Sequence, residues 1–384
     1  MANNHRSLDQ LEAEQLARLV KIVGPEHALN SLSDLASLPV LRKDTLLQSQ
    51  RDDPPFGLLK PAKIANIYQS PGPVYEPCVP GEDPWRFGKF VKAIGITDKD
   101  IVQNTFAYHF TPAGAMFETA ARAVGAAVFP AGPGQSRQQC EVAQAIKATV
   151  YAGTPDFLNI LLSKADAEDF DLSSIRRAAV SAGPLFPQLR QAYLDRGILC
   201  RQCYGTADVG LIAYETQDCI EGMFVDDDVI VEIVSPGTDD PLPHGEIGEV
   251  VVTVLSETHP IVRFSVGDLS AFMSETGDTQ KRIVGWRGRA DQATKVKGMF
   301  IRPEQVSALV DRHPDIARAR VEVSFDGSVE WIDVKLESSL KDAEHFEDLV
   351  REILKLKARI SVFDEGELPR DGILVSDLRE SIAG

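Results

Sequence analysis

Leucines and charges recur at helical spacing over residues 7–23 (Leu8, Leu11, Leu16, Leu19, Val20), which predicts an amphipathic N-terminal helix. Asp52-Asp53-Pro54-Pro55-Phe56-Gly57 is a turn cluster ahead of the first sheet elements. From about 90 to 205, short apolar runs alternate with helical stretches. The predicted strands are Ala127-Val128-Phe129, Thr149-Val150-Tyr151, Ala178-Ala179-Val180 and Ile198-Leu199-Cys200, with helices near 113–124, 136–147, 155–164 and 185–196. That rhythm predicts βαβ units and an α/β fold with a mostly parallel sheet. From about 223 to 272 the pattern becomes strand-rich with polar turns, which predicts a more antiparallel, barrel-like section. After Gly298 comes a compact α+β pattern: a helix near 303–312, strands near 319–325 and 329–337, a helix near 342–357 and a short strand around Ile360–Phe363. The expected division is a large N-terminal domain over 1–287 and a small mobile α+β domain over 288–384.

A chain of 384 residues has length for two domains, each with its own core. The formal charge of −17 argues against non-specific binding to nucleic acid or anionic membranes, because both need a basic surface. No apolar run approaches a membrane span, and the polar start of the chain lacks a signal peptide's apolar core, so a cytoplasmic protein is expected. Five cysteines fit reduced thiols. Cys200-x-x-Cys203 has metal or redox spacing, yet it lies in an apolar run that reads as a buried strand, and core thiols are expected there.

Charge and backbone freedom concentrate in Gly285-Trp286-Arg287-Gly288-Arg289-Ala290-Asp291-Gln292-Ala293-Thr294-Lys295-Val296-Lys297-Gly298. Such a junction suits either a solvated basic loop or a connection that closes on substrate. Tyr204-Gly205-Thr206-Ala207-Asp208 follows a strand, where α/β sheets collect ligands. An aromatic face there can stack on a purine and a carboxylate can hold Mg²⁺; the alternative is an ordinary strand-to-loop turn. Ser181-Ala182-Gly183 sits similarly, with Gly183 offering backbone to a ring edge. Asp268, after a β-run, can accept both hydroxyls of a ribose, although a Gly-Asp pair is also common in turns.

In this order and spacing, the segments from about Leu38 to Pro369 resemble the phenylacetate–CoA ligase branch of the adenylate-forming superfamily. Gly288, Arg289, Asp291, Lys295 and Gly298 fall on that family's Gly-Arg-x-Asp-x-x-x-Lys-x-x-Gly junction. The resemblance implies that Tyr204, with Gly183, Gly205 and Thr206, lines the nucleotide site and that Asp208 replaces the usual Mg²⁺-ligating Glu. It implies that Asp268 binds ribose with help from Arg289, that Asp291 is the hinge, and that the segment from Arg289 to Gly298, with Lys295 and Lys297, lines a pantetheine channel. Residues around Tyr108, His109, Phe110 and Ala113 would form the acid pocket. Phe106, Tyr108 and Phe110 also alternate as on a strand, which would put two or more of them in the core. His109 reads either as a base or contact to a polar substituent, or as a hydrogen-bonded structural residue.

Two departures fall on one half of the chemistry. The family's phosphate loop, Ser-Ser-Gly-Thr-Thr-Gly-Lys-Pro, is replaced by Ser70-Pro71-Gly72-Pro73-Val74-Tyr75-Glu76-Pro77. Pro71 and Pro73 supply no N–H, and Glu76 stands where the lysine should be, turning attraction for phosphate into repulsion. The family also places a lysine shortly after Leu-Pro-Arg; in Leu368-Pro369-Arg370-Asp371-Gly372-Ile373 its equivalent is Ile373. The resemblance therefore implies CoA or phosphopantetheine as cofactor, with AMP or an acyl-adenylate as a further ligand, and both losses speak against ATP and Mg²⁺. Three functions stay open: thioester-side acyl transfer on a carboxylate (an aromatic one, by the resemblance), a full ATP-dependent acid–CoA ligase in which Lys295 or Lys297 supplies the missing cation, and a ligase-fold binding protein without turnover. Partners would be the small carboxylate or its thioester, a carrier protein, and a second copy of the chain, since the family often dimerises.

Overall fold

The computed structural model describes residues 7–70, 74–183, 185–273, 280–290, 294–296, 299–325 and 330–378. Helix α1 (Leu8–Val23) starts on a reciprocal cap: Ser7 Oγ accepts the Gln10 N–H at 3.2 Å, and the Gln10 side chain accepts the Ser7 N–H at 3.0 Å. Helix α2 (Lys43–Asp52) follows, and then a hairpin of β1 (Asn66–Ser70) and β2 (Val74–Cys78), paired from Asn66↔Cys78 to Ser70↔Val74. The stretch 66–77, whose Gly and Pro content alone would suggest a turn, is largely strand: Pro71, Gly72 and Pro73 fall between two segments that pair through their backbones.

The next elements alternate as α3 (Gly88–Ala93), β3 (Ile101–Asn104), α4 (Ala113–Ala123), β4 (Ala127–Pro130), α5 (Ser136–Ile146), β5 (Val150–Gly153), α6 (Pro155–Glu168), β6 (Arg177–Val180), α7 (Pro187–Asp195) and β7 (Leu199–Thr206). Antiparallel strands β8 (Gly210–Tyr214) and β9 (Met223–Val225) come next, followed by β10 (Val229–Val234), β11 (Gly248–Val254), β12 (Ile261–Ser270) and β13 (Arg282–Ile283). Eight strands form one sheet in the order β13-β9-β8-β7-β6-β5-β3-β4, parallel from β7 to β4 and antiparallel from β7 to β13. Strands β10, β11 and β12 form a separate three-stranded sheet.

Side-chain alternation explains how helices cover both faces of the large sheet. Val150, Ala152 and Ala179 pack with Phe90, Phe106 and Phe117 on one face. Tyr151, Ala178 and Val180 pack with Leu158, Leu161 and Tyr193 on the other. Cys200 belongs to the second cluster and Cys203 to the first, so the two thiols project to opposite faces and cannot meet at one metal or disulfide. Burial pushes the Cys200 thiol up to about 12 and raises Cys203 further.

Two compact units are present. The first takes in the described residues up to Glu246 with Val250–Val266 and Ala271–Gly285; the second takes in Ile247–Glu249, Gly267–Ser270 and the described residues from Trp286 onward. The second unit holds β14 (Thr294–Val296), β15 (Met299–Ile301), α8 (Pro303–Arg312), β16 (Ile316–Phe325), β17 (Glu330–Ser338), α9 (Glu347–Leu354), β18 (Arg359–Phe363) and β19 (Val375–Asp377). Its four-stranded sheet runs β18-β17-β16-β19 and buries Val321, Val323, Val334 and Leu336 against Leu309, Phe346 and Val350. The helix expected over 342–357 is a 3₁₀ turn, Ala343–Phe346, leading into the shorter α9. Among the described residues no helix is long and apolar enough to cross a membrane.

Candidate active site

In the first unit the hairpin carries Glu76 inward. Val74 and Glu76 point to the buried side of β2 while Tyr75 points out, as pleating requires. Glu76 is 3% exposed, and Ser70 Oγ donates to its Oε1 at 2.7 Å. Asp208, at the end of the turn after β7, is the second buried carboxyl and shares a hydrogen bond with Glu76. Desolvation, then the neighbouring Asp208 charge, hold Glu76 well above the usual carboxylate range. Glu76 therefore keeps its proton and donates it in the hydrogen bond to Asp208. Lys43, the first residue of α2, places Nζ 3.5 Å from Asp208 Oδ2. Asp208 Oδ1 is buried without a hydrogen-bond partner among the described residues, and Asp208 lines a small cleft with Trp85, Arg86, Ser256 and His259. Burial drives the His259 imidazole down to about 4, so it is neutral there.

The hairpin is also fixed along its backbone. The Gln50 side chain donates to Tyr75 O at 2.8 Å and accepts the Tyr75 N–H at 3.0 Å, as a neighbouring strand would. The Gln69 N–H donates to Phe110 O at 2.9 Å. A loop that cradles phosphates offers free N–H groups and a cation. Here the N–H groups of Gln69 and Tyr75 already have protein acceptors, and a protonated carboxyl stands inside. Pro71, Gly72 and Pro73 lie outside the described residues.

A magnesium ion fits this arrangement poorly. It asks for near-octahedral oxygen ligands and keeps several waters. Asp208 offers one carboxylate, with Lys43 on Oδ2 and the Glu76 hydroxyl bonded to it.

The other residues of this unit that the resemblance assigns to a nucleotide site lie along β6 and β7. Tyr204 is buried at 7% exposure, and Gly205 and Thr206 are half-buried. A Cβ on Gly205 would meet Gly210 O at 2.6 Å and the Phe87 ring at 2.8 Å, so only glycine fits there. Gly183 follows β6, half-buried. Around the expected acid pocket the strand-like alternation does not hold. Residues 105–112 form a loop, in which Phe106 is core, Tyr108 half-buried and Phe110 77% exposed at φ 61°. The reversal at Phe110 is what takes its ring out of the core. Tyr108 Oη accepts Asn104 Nδ2 at 2.8 Å, and burial followed by the Glu118 charge raises its phenol. His109 is exposed, and Ala113 opens α4 half-buried.

In the second unit Asp268 is 7% exposed and receives two donors on Oδ1: Trp286 Nε1 at 3.2 Å and Arg289 Nη1 at 3.4 Å. Gly267, at φ 77°, makes room for the guanidinium, since a Cβ there would lie 3.0 Å from Arg289 Nη2. Lys295 sits on β14 opposite Phe300, with its side chain outside the description; Asp291, Lys297 and Gly298 also lie outside the described residues. The Leu368–Ile373 segment is pinned by Arg318, which donates to Leu368 O and Pro369 O, and by the Arg320–Asp371 ion pair at 2.9 Å. Ile373, where the resemblance expects a lysine, is 37% exposed.

The AMP-binding enzyme family matches residues 87–254, a stretch that contains Tyr204–Asp208 and leaves out the hairpin and Asp268. Phenylacetate–coenzyme A ligase of Aromatoleum evansii is 28% identical over 368 residues, covering 86% of this chain and 82% of its own. The enzyme of the same name from Escherichia coli K12 is 26% identical, covering 80% and 73%. The chain is similar to phenylacetate–CoA ligases and carries an AMP-binding enzyme match over 87–254. The fold agrees: a 2-hydroxyisobutyryl-CoA ligase solved with its acyl-AMP superposes with a TM-score of 0.79 at 20% identity, over 99% of this chain and 92% of that one. For this ligase-like chain, Asp208 and Asp268 stood out in the sequence, whereas Lys43, Gln50 and His259 did not, because nothing in their local pattern marks them. Trp286 lay inside the junction motif without a role of its own.

Proposed function

We propose that this adenylate-forming, acyl-CoA ligase-like chain works on the thioester side of the family's chemistry. It takes an acyl group from an acyl-adenylate, or from a thioester, and exchanges it with CoA or a phosphopantetheine carrier, without building the adenylate from ATP. In the forward direction the thiolate sulfur attacks the acyl carbon, the bond from that carbon to the phosphate oxygen breaks, and AMP leaves with the electron pair. That step needs the ribose and α-phosphate of AMP to be held, and it needs nothing at the β- and γ-phosphates.

The observation that carries this reading is the buried Glu76–Asp208 carboxyl pair. It puts a protonated carboxyl where the resemblance expects a lysine, and the aspartate in place of the metal-binding carboxylate is already paired with Lys43. An incoming triphosphate would meet a neutral carboxyl and a lysine already paired with Asp208, so none of these groups offers it a free cation in a low-dielectric site, where an uncompensated charge costs most. The exposed Ile373 removes the second cation of adenylation. The proposal includes a small domain over 288–384 with Asp291 as its hinge, and Lys295 and Lys297 beside the pantetheine arm.

The test is a titration of the whole protein with AMP, ATP and CoA, followed by incubation of CoA with a preformed acyl-adenylate of an aromatic acid. The expected result is AMP binding at least as tight as ATP binding, no pyrophosphate release from ATP with a panel of acids, and acyl-CoA plus AMP from the acyl-adenylate. Pyrophosphate release would restore the full ligase reading. Binding of AMP and CoA with no acyl-CoA formed would leave a binding protein.

A further inference from the structure

We infer that Trp286 is a positioning residue for a nucleotide's ribose: its indole N–H holds the Asp268 carboxylate in the orientation that receives the sugar hydroxyls. This rests on the reading above, in which AMP or its acyl ester is bound with Asp268 as the ribose acceptor.

The backbone brings the two residues together. Arg287 N–H donates to Leu269 O at 2.8 Å, Leu269 N–H donates to Gly288 O at 2.8 Å, and Asp268 bridges Arg289 in antiparallel fashion. The segment 286–289 therefore runs as an extra strand along the end of β12, and its register delivers Trp286 and Arg289 to the same carboxylate. A carboxylate this buried requires donors to stay charged. Both donors reach Oδ1, at 3.2 Å from the indole and 3.4 Å from the guanidinium. Arg289 supplies charge through a long, rotatable side chain. The indole is a rigid donor with a single N–H direction, so with the guanidinium on the same oxygen it restricts how the carboxylate can turn. A ribose diol needs that restriction, because its two hydroxyls approach at fixed separation.

A role in packing alone and a role in orienting Asp268 separate cleanly in experiment. Trp286→Phe keeps an aromatic ring and removes the N–H. AMP and 3′-deoxyadenosine monophosphate are titrated into the unaltered protein and this variant. The expected outcome is about tenfold weaker AMP binding in Trp286→Phe, the scale of one hydrogen bond to a charged group. Binding of the 3′-deoxy analogue should hardly change, so the preference for the full ribose collapses. An equal loss for both ligands, or no loss for either, overturns the inference.

Should Trp286→Phe fail to fold, the unaltered protein gives a second readout. Three tryptophans give three indole N–H resonances, and that of Trp286 is identified by its displacement in Asp268→Asn. It is expected to move on addition of AMP; a stationary peak at saturating AMP overturns the inference. Absence of AMP binding to the unaltered protein removes the nucleotide reading and this inference with it. AMP binding with unaltered discrimination in Trp286→Phe removes this inference alone.

Discussion

Burial beside Asp208 makes the charge of Glu76 depend on folding, and that dependence has a sign. In the unfolded chain Glu76 titrates near its ordinary value of 4.5, while in the folded protein desolvation and the Asp208 charge lift it to about 9. Below the first value the carboxyl is protonated in both states and costs nothing. As pH rises through it, the unfolded chain sheds a proton that the folded protein keeps, so stability falls until the folded value is passed. Glu76→Gln keeps a donor toward Asp208 and cannot titrate. It should match the parent near pH 4 and exceed it by at most about 3 kcal/mol at pH 7, at about 1.4 kcal/mol per pH unit. Urea unfolding at both pH values checks this, and a pH-independent difference would contradict it. His259 works on the acid side through burial alone. Its folded value of about 4 lies below the ordinary 6.5, so stability falls as pH drops through that interval and the unfolded chain takes up the proton. His259→Gln should flatten the acid limb of the stability profile between those values.

Among the elements, the β1–β2 hairpin carries most of what distinguishes this chain, and Gln50 of α2 is its clamp. Gln50→Ala removes two partly buried hydrogen bonds to the Tyr75 carbonyl and N–H. A loss of about 1–3 kcal/mol is expected, with faster amide exchange confined to the 66–78 segment. Exchange spread evenly over the chain would show that the clamp is not local. The large sheet makes a second prediction. Cys78, Cys140, Cys200 and Cys203 are buried and Cys219 is half-buried, so a thiol reagent should label one cysteine quickly in the native protein and four only on unfolding. The alternating strands and helices of this sheet were legible because apolar runs at strand length alternate with helical periodicity, as at Val150–Gly153 and Pro155–Glu168. The hairpin was hidden because Pro71, Gly72 and Pro73 dominate its composition, while pairing across them depends on register. Phe106, Tyr108 and Phe110 misled for the opposite reason: spacing of two looks like a strand whether or not the backbone is extended. The site was half legible. Asp208 follows β7 and Asp268 sits near the end of β12, where ligands gather, but the partners Lys43, Glu76 and Trp286 reach them only through tertiary folding.

At the scale of the whole molecule, the two units have separate hydrophobic interiors. One is built on the eight-stranded sheet around Phe90, Phe117, Leu158 and Tyr193, the other on the four-stranded sheet around Val321, Val334, Leu336 and Phe346. Stability of a domain comes mainly from burying its own apolar surface, so two interiors give two cooperative transitions unless their coupling exceeds the difference between them. Val334→Ala removes two methyl groups from a fully buried position and should cost about 1–3 kcal/mol. In scanning calorimetry that cost should move one transition and leave the other in place. AMP gives the complementary perturbation, because a ligand stabilises only what binds it. If Asp268 and Trp286 hold the ribose, AMP should raise the transition that Val334→Ala lowers, since all three residues lie in the second unit, in addition to any rise that Tyr204 and its neighbours give the first. A single transition whose calorimetric and van't Hoff enthalpies agree, shifted as a whole by either perturbation, would mean that the two interiors melt as one.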